Sequence, residues 1–242
     1  MSSVDAILFD LDDTLLGNDM DAFLSHYFPM VSSYVAPKID QELFMKELLR
    51  STQAMISNQN PEITNREVFW KEFCNGTGLA QESMEPFVNT FYEERFDELQ
   101  AFTTMRPNAS KLVQLCLDNG LKVVIATNPL FPMRAIEHRL NWAGIPVGEY
   151  GYALVTAYEN MHSTKPHQSY YLEILDVISA QPERTLMVGD DWENDIAPAL
   201  SLGMYTYLIS PKDDGLVVLP SNISGHGTLK KLYNLLNDGW LS

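Results

Sequence analysis

The run Ala6-Ile7-Leu8-Phe9 passes without a break into Asp10-Leu11-Asp12-Asp13-Thr14. A short continuous apolar run closed by turn-forming polar residues is the pattern of a strand buried on both faces, as in a parallel sheet. Such a strand commits the chain to covering two sheet faces with other elements. It also sets a chemical problem. Asp10 and Asp12 stand two residues apart, so an extended backbone points both carboxylates the same way. Like charges held close disfavour ionisation unless a cation or a proton-transfer role compensates.

The rest of the chain falls into two textures. Residues 19–35, 40–57, 64–74 and 83–100 carry Leu, Phe, Met and charged residues at helical spacing, and no strand pattern interrupts them. Asp40 and Thr64 are expected N-caps. After Phe102 strand and helix patterns alternate. Strands are expected at 121–126, 153–155, 186–188 and 205–209, with helices over 108–119, 131–143, 167–179, 194–202 and 228–237. Alternation of this kind implies a parallel sheet with helices on both faces. The expected fold class is therefore α/β, a Rossmann-like doubly wound parallel sheet. Residues 1–16 and 103–242 would form this core, and 17–102 an all-helical insertion of about 85 residues, enough for a small core of its own.

Composition narrows the partners. The formal net charge of −16 over 242 residues argues against nucleic acid, which needs a basic footprint, and against anionic membranes. A small anionic substrate is compatible, because local cations outweigh a screened distant field. Met1-Ser2-Ser3-Val4-Asp5 lacks the basic flank and apolar core of a secretory signal. Cys74 and Cys116 match no metal spacing, so a reduced, cytoplasmic protein is expected.

In open parallel sheets ligands bind at the carboxyl ends of the strands. That rule brings Asp10, Asp12, Thr127, Asp190 and Asp191 to one edge, with Lys165 in the loop before the 167–179 helix. A calcium loop is ruled out, because Leu15 occupies the position where Gly is needed. An Asp carboxylate needs no base to become a nucleophile, and its repulsion from an anionic phosphate is relieved by a divalent cation and a lysine. The residues therefore suit phosphoryl transfer.

Four segments in order, Asp10-Leu11-Asp12-Asp13-Thr14, Ile125-Ala126-Thr127-Asn128, Thr164-Lys165-Pro166 and Val188-Gly189-Asp190-Asp191-Trp192-Glu193-Asn194-Asp195, resemble the motifs of the haloacid dehalogenase superfamily of phosphohydrolases. The insertion is similar to that family's helical cap. The resemblance implies a Mg2+-dependent phosphohydrolase acting on a small phosphorylated metabolite through an aspartyl-phosphate. Asp10 would be the nucleophile and Asp12 the acid and base. Mg2+ would be held by the side chains of Asp10 and Asp190 and the backbone carbonyl of Asp12. Thr127, the Asn128 amide and Lys165 would bind the phosphoryl group, and Asp191 and Asp195 would orient water, lysine or metal. Asp195 alternatively caps the nearby helix. Two residues depart from the family pattern: Asp13 stands where Gly is common, and His167-Gln168 follows Pro166 where a second proline is usual. A phosphomutase would share every core residue. A 2-haloacid dehalogenase would need neither Asp12 nor Asp190. A phospho-acceptor receiver domain would carry its acceptor after the acidic pair, contrary to the order here.

Overall fold

The computed structural model describes residues 4–210 and 222–241. The first three residues of the N-terminal segment discussed above lie outside that range. Among the described residues six parallel strands form one sheet in the order β5-β4-β1-β6-β7-β8. They are β1 (Ala6–Phe9), β4 (Lys122–Ile125), β5 (Leu154–Val155), β6 (Thr185–Gly189), β7 (Tyr205–Ile209) and β8 (Gly225–Gly227). β1 is central, between β4 and β6.

Period-two alternation in β1 divides the core. Ile7 and Phe9 pack with Leu112, Val113 and Cys116 of α5 (Ala109–Asp118), Ile136 of α6 (Met133–Trp142) and Leu232 of α9 (Leu229–Asn237). Ala6 and Leu8 face the opposite side, against Tyr170, Tyr171 and Ile174 of α7 (Gln168–Val177) and Ala199 of α8 (Ala197–Ser201). All four β1 side chains are fully buried. The doubly wound α/β sheet expected from the sequence is the observed fold.

Between β1 and β4 the chain leaves the sheet as β2 (Leu16–Gly17) and returns as β3 (Thr104–Met105), and these two segments pair antiparallel. A Cβ on Gly17 would lie 2.2 Å from Thr104 Oγ1, so glycine lets the two crossings touch. The residues between them form the helices α1 (Met20–Val35), α2 (Gln41–Ser57), α3 (Asn65–Thr77) and α4 (Gln81–Glu94) and a 3₁₀ segment, Phe96–Phe102. Asp40 caps α2 and Thr64 forms a reciprocal capping box with Glu67 on α3. The single helix expected over 83–100 is instead broken at Arg95, whose φ of −125° leaves helical geometry. The break turns Phe96 and Leu99 into the core, where both are fully buried. Burial of two large side chains outweighs one more helical turn.

The insertion is docked on the sheet layer. Asn65 Nδ2 donates to the carbonyl of Ser163 (3.1 Å) and the Arg66 amide to that of Tyr158 (2.8 Å). On the other side Asp97 accepts from Trp142 Nε1 at 2.8 Å. Among the described residues no helix is long and apolar enough to cross a membrane.

Candidate active site

Strand register places the acids. Phe9 is level with Ile125 on one side and Val188 on the other. The residues that follow each strand, Asp10, Thr127 and Asp190, therefore emerge together at the carboxyl edge. Asp10 is anchored by its own amide to the Val188 carbonyl (2.9 Å). The Thr127 carbonyl is fixed by the hydroxyls of Thr156 (2.7 Å) and Tyr170 (2.9 Å), which holds the loop that presents the Asn128 amide.

Lys165 is almost entirely buried, and its Nζ donates to Asp10 Oδ1 and Asp195 Oδ1, each at 2.6 Å. Burial alone would favour the neutral amine, but the charges of Asp10 and Asp195 outweigh it and hold the lysine well above its ordinary pKa. Burial pushes Asp10 upward against the pull of Lys165, and the nearby Asp12 charge adds to the rise. Asp195 Oδ2 also accepts the Asp191 amide at 3.2 Å. Burial, opposed by Lys165 and reinforced by Asp10, raises Asp195 to about 7. Asp195 thus anchors the lysine and does not cap the following helix. Asp191 is the cap, accepting the amides of Glu193 (2.8 Å) and Asn194 (2.9 Å). Burial lifts Asp191, but the Asn194 and Glu193 bonds outweigh it and leave the carboxyl below its ordinary range. The helix expected over 194–202 opens with a π turn, Trp192–Ile196, before α8.

The glycine before Asp190 has a steric reason. A Cβ on Gly189 would lie 2.3 Å from Asp195 Cγ and 2.6 Å from its Cβ. Gly189→Ala should cost about 1–3 kcal/mol by overpacking and push Asp195 off Lys165. Thermal melts and turnover of the variant check this. A wild-type melting temperature would contradict it.

Asp190 accepts from Thr14 Oγ1 at 3.0 Å. Burial and the charge of Asp10 raise it to about 7, despite the Thr14 bond. Carboxylate oxygens of Asp10, Asp190 and Asp195 all lie within 4.8 Å of one another. Three acids around one lysine leave a local excess of negative charge. A hard divalent cation with oxygen ligands fits that donor set. The expected effect on stability follows from linkage. With folded pKa values raised, the native state binds more protons than the unfolded one between about pH 4 and 7, so stability falls as pH rises through that window. Metal-free protein should therefore melt at a lower temperature at pH 8 than at pH 6, and Mg2+ should raise the pH 8 value more. A pH-independent melting temperature, unmoved by Mg2+, would contradict this.

Asp12 carries partners the sequence did not disclose. Its Oδ2 accepts from Arg139 Nη1 at 2.5 Å and its Oδ1 from Asn18 Nδ2 at 2.6 Å. Arg139 lies on α6 with 1% exposure, its guanidinium 4.8 Å from the centre of the Phe131 ring. The signal for it was an arginine on the buried face of a helix, four residues after Ala135 and three after Ile136. Asp13 has φ 55°, a backbone conformation in which glycine is unstrained. It accepts from Arg106 Nη2 at 2.6 Å, tying the loop to the returning chain. It is a turn residue, not a helix cap. The insertion's Asp21, His26, Lys46 and Arg50 do not line the cavity above the acids, and Arg50 pairs with Glu47 and Glu72.

Fold and site together define an α/β protein with an acidic strand-end centre beneath a helical insertion. The family model for haloacid dehalogenase-like hydrolases matches residues 4–203, and the chain belongs to that family. It is 30% identical over 106 residues to haloacid dehalogenase-like hydrolase domain-containing protein 3 of Xenopus laevis, a match spanning 44% of this chain and 41% of that relative. Pyrophosphatase PpaX of Bacillus mycoides (strain KBAB4) is 23% identical over 208 residues, 86% of this chain and 84% of its own. Among solved structures, 2-haloacid dehalogenase from Pseudomonas syringae pv. Tomato DC3000 shares the fold with a TM-score of 0.61 at 19% identity, covering 97% of this chain and 99% of that one. The magnesium-bound HAD-hydrolase YfnB from Bacillus subtilis does so with a TM-score of 0.55 at 19% identity, covering 98% and 100%.

Proposed function

We propose that this chain hydrolyses phosphate monoesters of small molecules with the help of Mg2+, through an aspartyl-phosphate on Asp10. The observation that carries the reading is the Lys165 bridge between Asp10 and Asp195, with Asp190 beside it. It leaves one ionisable nucleophile facing a site that has both a fixed cation and room for a second. Asp10, Asp190 and the Asp12 carbonyl are the residues that would hold Mg2+, which supplies neutralisation of phosphoryl charge when bound.

Asp10 attacks phosphorus, forming an O–P bond as the bond to the leaving oxygen breaks. Lys165, Thr127 and the Asn128 amide hold the phosphoryl oxygens. Asp12 gives its proton to the leaving oxygen, then takes one from the water that attacks phosphorus and releases Asp10. Each Asp12 oxygen has a second lone pair, so Arg139 and Asn18 can fix its direction while it faces the leaving group.

Asp12 and Asp190 also weigh against the dehalogenase reading, which uses neither. The test is a panel of phosphorylated metabolites assayed for phosphate release with Mg2+ and with chelator, beside a halide-release assay on 2-haloacids. Phosphate release that chelator abolishes is expected. Metal-independent release, or halide release alone, would overturn the proposal. A phosphomutase would appear in the same panel as an isomeric phosphate ester.

A further inference from the structure

We infer that the ester group cleaved from phosphate is a bulky apolar one, of aryl or branched-alkyl type; the inference rests on the phosphohydrolase reading above. A cavity of about 470 Å3 runs from Asp10 and Lys165 up into the helical insertion. That volume lies within the roughly 300–1,000 Å3 of small-molecule sites, and a phosphoryl group fills only its floor. The upper wall is built by Leu24, Phe28, Phe44, Leu48, Phe69 and Phe73.

No charged side chain of the insertion lines this space. Several polar atoms of the upper wall are engaged, although Asn89 also lines the space. Its unpartnered buried atoms, Asn18 Oδ1, Asn128 Oδ1 and Arg139 Nε and Nη2, belong to residues that bond Asp12 or follow Thr127 at the floor. The hydroxyls of Tyr27 and Tyr92 bond each other at 2.7 Å, and Trp70 Nε1 donates to Tyr158 Oη at 3.4 Å. Thr52 Oγ1 donates to the Leu48 carbonyl at 2.8 Å, and Asn18 Nδ2 is held on Asp12. Among the described residues the cations on the wall are Lys165 and Arg139, the latter paired with Asp12 through Nη1 and stacked on Phe131.

A sugar or nucleoside placed here would surrender its hydration and find few replacement partners, which disfavours binding. An apolar group of similar size would gain from the same desolvation. Because the apolar wall continues directly from the acids, the occupant that fits both ends is one molecule, a phosphate ester of an apolar alcohol.

Two non-hydrolysable ligands read occupancy without turnover. Calorimetry with Mg2+ should show 2-naphthylmethylphosphonate binding about 100-fold more tightly than methylphosphonate, a ratio set by the buried ring area. In Leu48→Glu, which places a charge in the wall, the ratio should shrink toward one. In kinetics, 2-naphthylmethyl phosphate should exceed glucose 6-phosphate and phosphoglycolate in kcat/KM by a similar factor. Equal affinities of the two phosphonates on the unmodified protein, or a preference for the sugar phosphate, would overturn the apolar leaving group alone. Failure of the hydrolase reading is distinguishable: the phosphonates would still separate, yet no ester would release phosphate, and the substrate assignment would fall with it.

Discussion

Asp10→Asn is expected to lower phosphate release by a factor on the order of 10⁴ or more, the scale of removing a nucleophile, while leaving the protein folded. Both halves follow from the same geometry. Asparagine keeps the shape of the side chain at the end of β1 but cannot form the acyl phosphate at the required rate. It also removes one of three crowded carboxylates, and Lys165 retains Asp195 as its partner at 2.6 Å. The variant should therefore melt no lower than the unmodified chain at pH 8. Turnover and thermal melts on the same preparation check the pair. Retention of substantial activity would remove Asp10 from the chemistry, and loss of activity through unfolding would remove the account of the site's electrostatics.

Lys165→Met is expected to damage both function and fold. It leaves Asp10 and Asp195, with 8% and 1% exposure, in the interior without their shared cation. Breaking a buried pair by deleting one partner costs about 3–5 kcal/mol. The sign of the pH dependence is fixed by the carboxylates. Asp195 and Asp190 already sit near 7 with the lysine present, and Lys165 is a charge that lowers Asp195. Its removal raises the folded value further, so the native state binds still more protons than the unfolded one around neutrality. The defect should be largest at pH 8 and shrink on acidification to pH 6. Denaturant titrations of both proteins at the two pH values measure it. A pH-independent loss would point to lost packing of the lysine stem alone.

The core was legible because β1, β4 and β6 are apolar runs closed by acids or Thr-Asn, and these strands and β7 lie within two residues of where the pattern put them. The caps at Asp40 and Thr64 were legible for a similar local reason: a side-chain oxygen satisfies amides within three residues. Elements fixed only by distant packing were not. β2 and β3 have two residues each and exist because the insertion's exits touch. β8 is Gly225-His226-Gly227, which has no strand signature, yet it adds to the β7 edge in parallel register. At the site, spacing and resemblance put Asp10, Lys165 and Asp190 together, and the structure brings them together. Arg139 on Asp12 escaped notice because nothing within its own helix reveals what it faces 127 positions earlier in the chain. The apolar cavity escaped for the same reason. Its Phe and Leu residues read as ordinary helix core, and only the three-dimensional arrangement leaves a space between them.

In the proposed reaction phosphorus passes through Asp10 before it reaches water. Stereochemistry at phosphorus tests this most directly, using a phosphorothioate ester made chiral by two oxygen isotopes and hydrolysed in water of the third isotope to a chiral thiophosphate. Each in-line displacement inverts the configuration, so attack by Asp10 followed by attack by water predicts net retention. Net inversion would mean a single direct displacement by water, and would contradict the role assigned to Asp10.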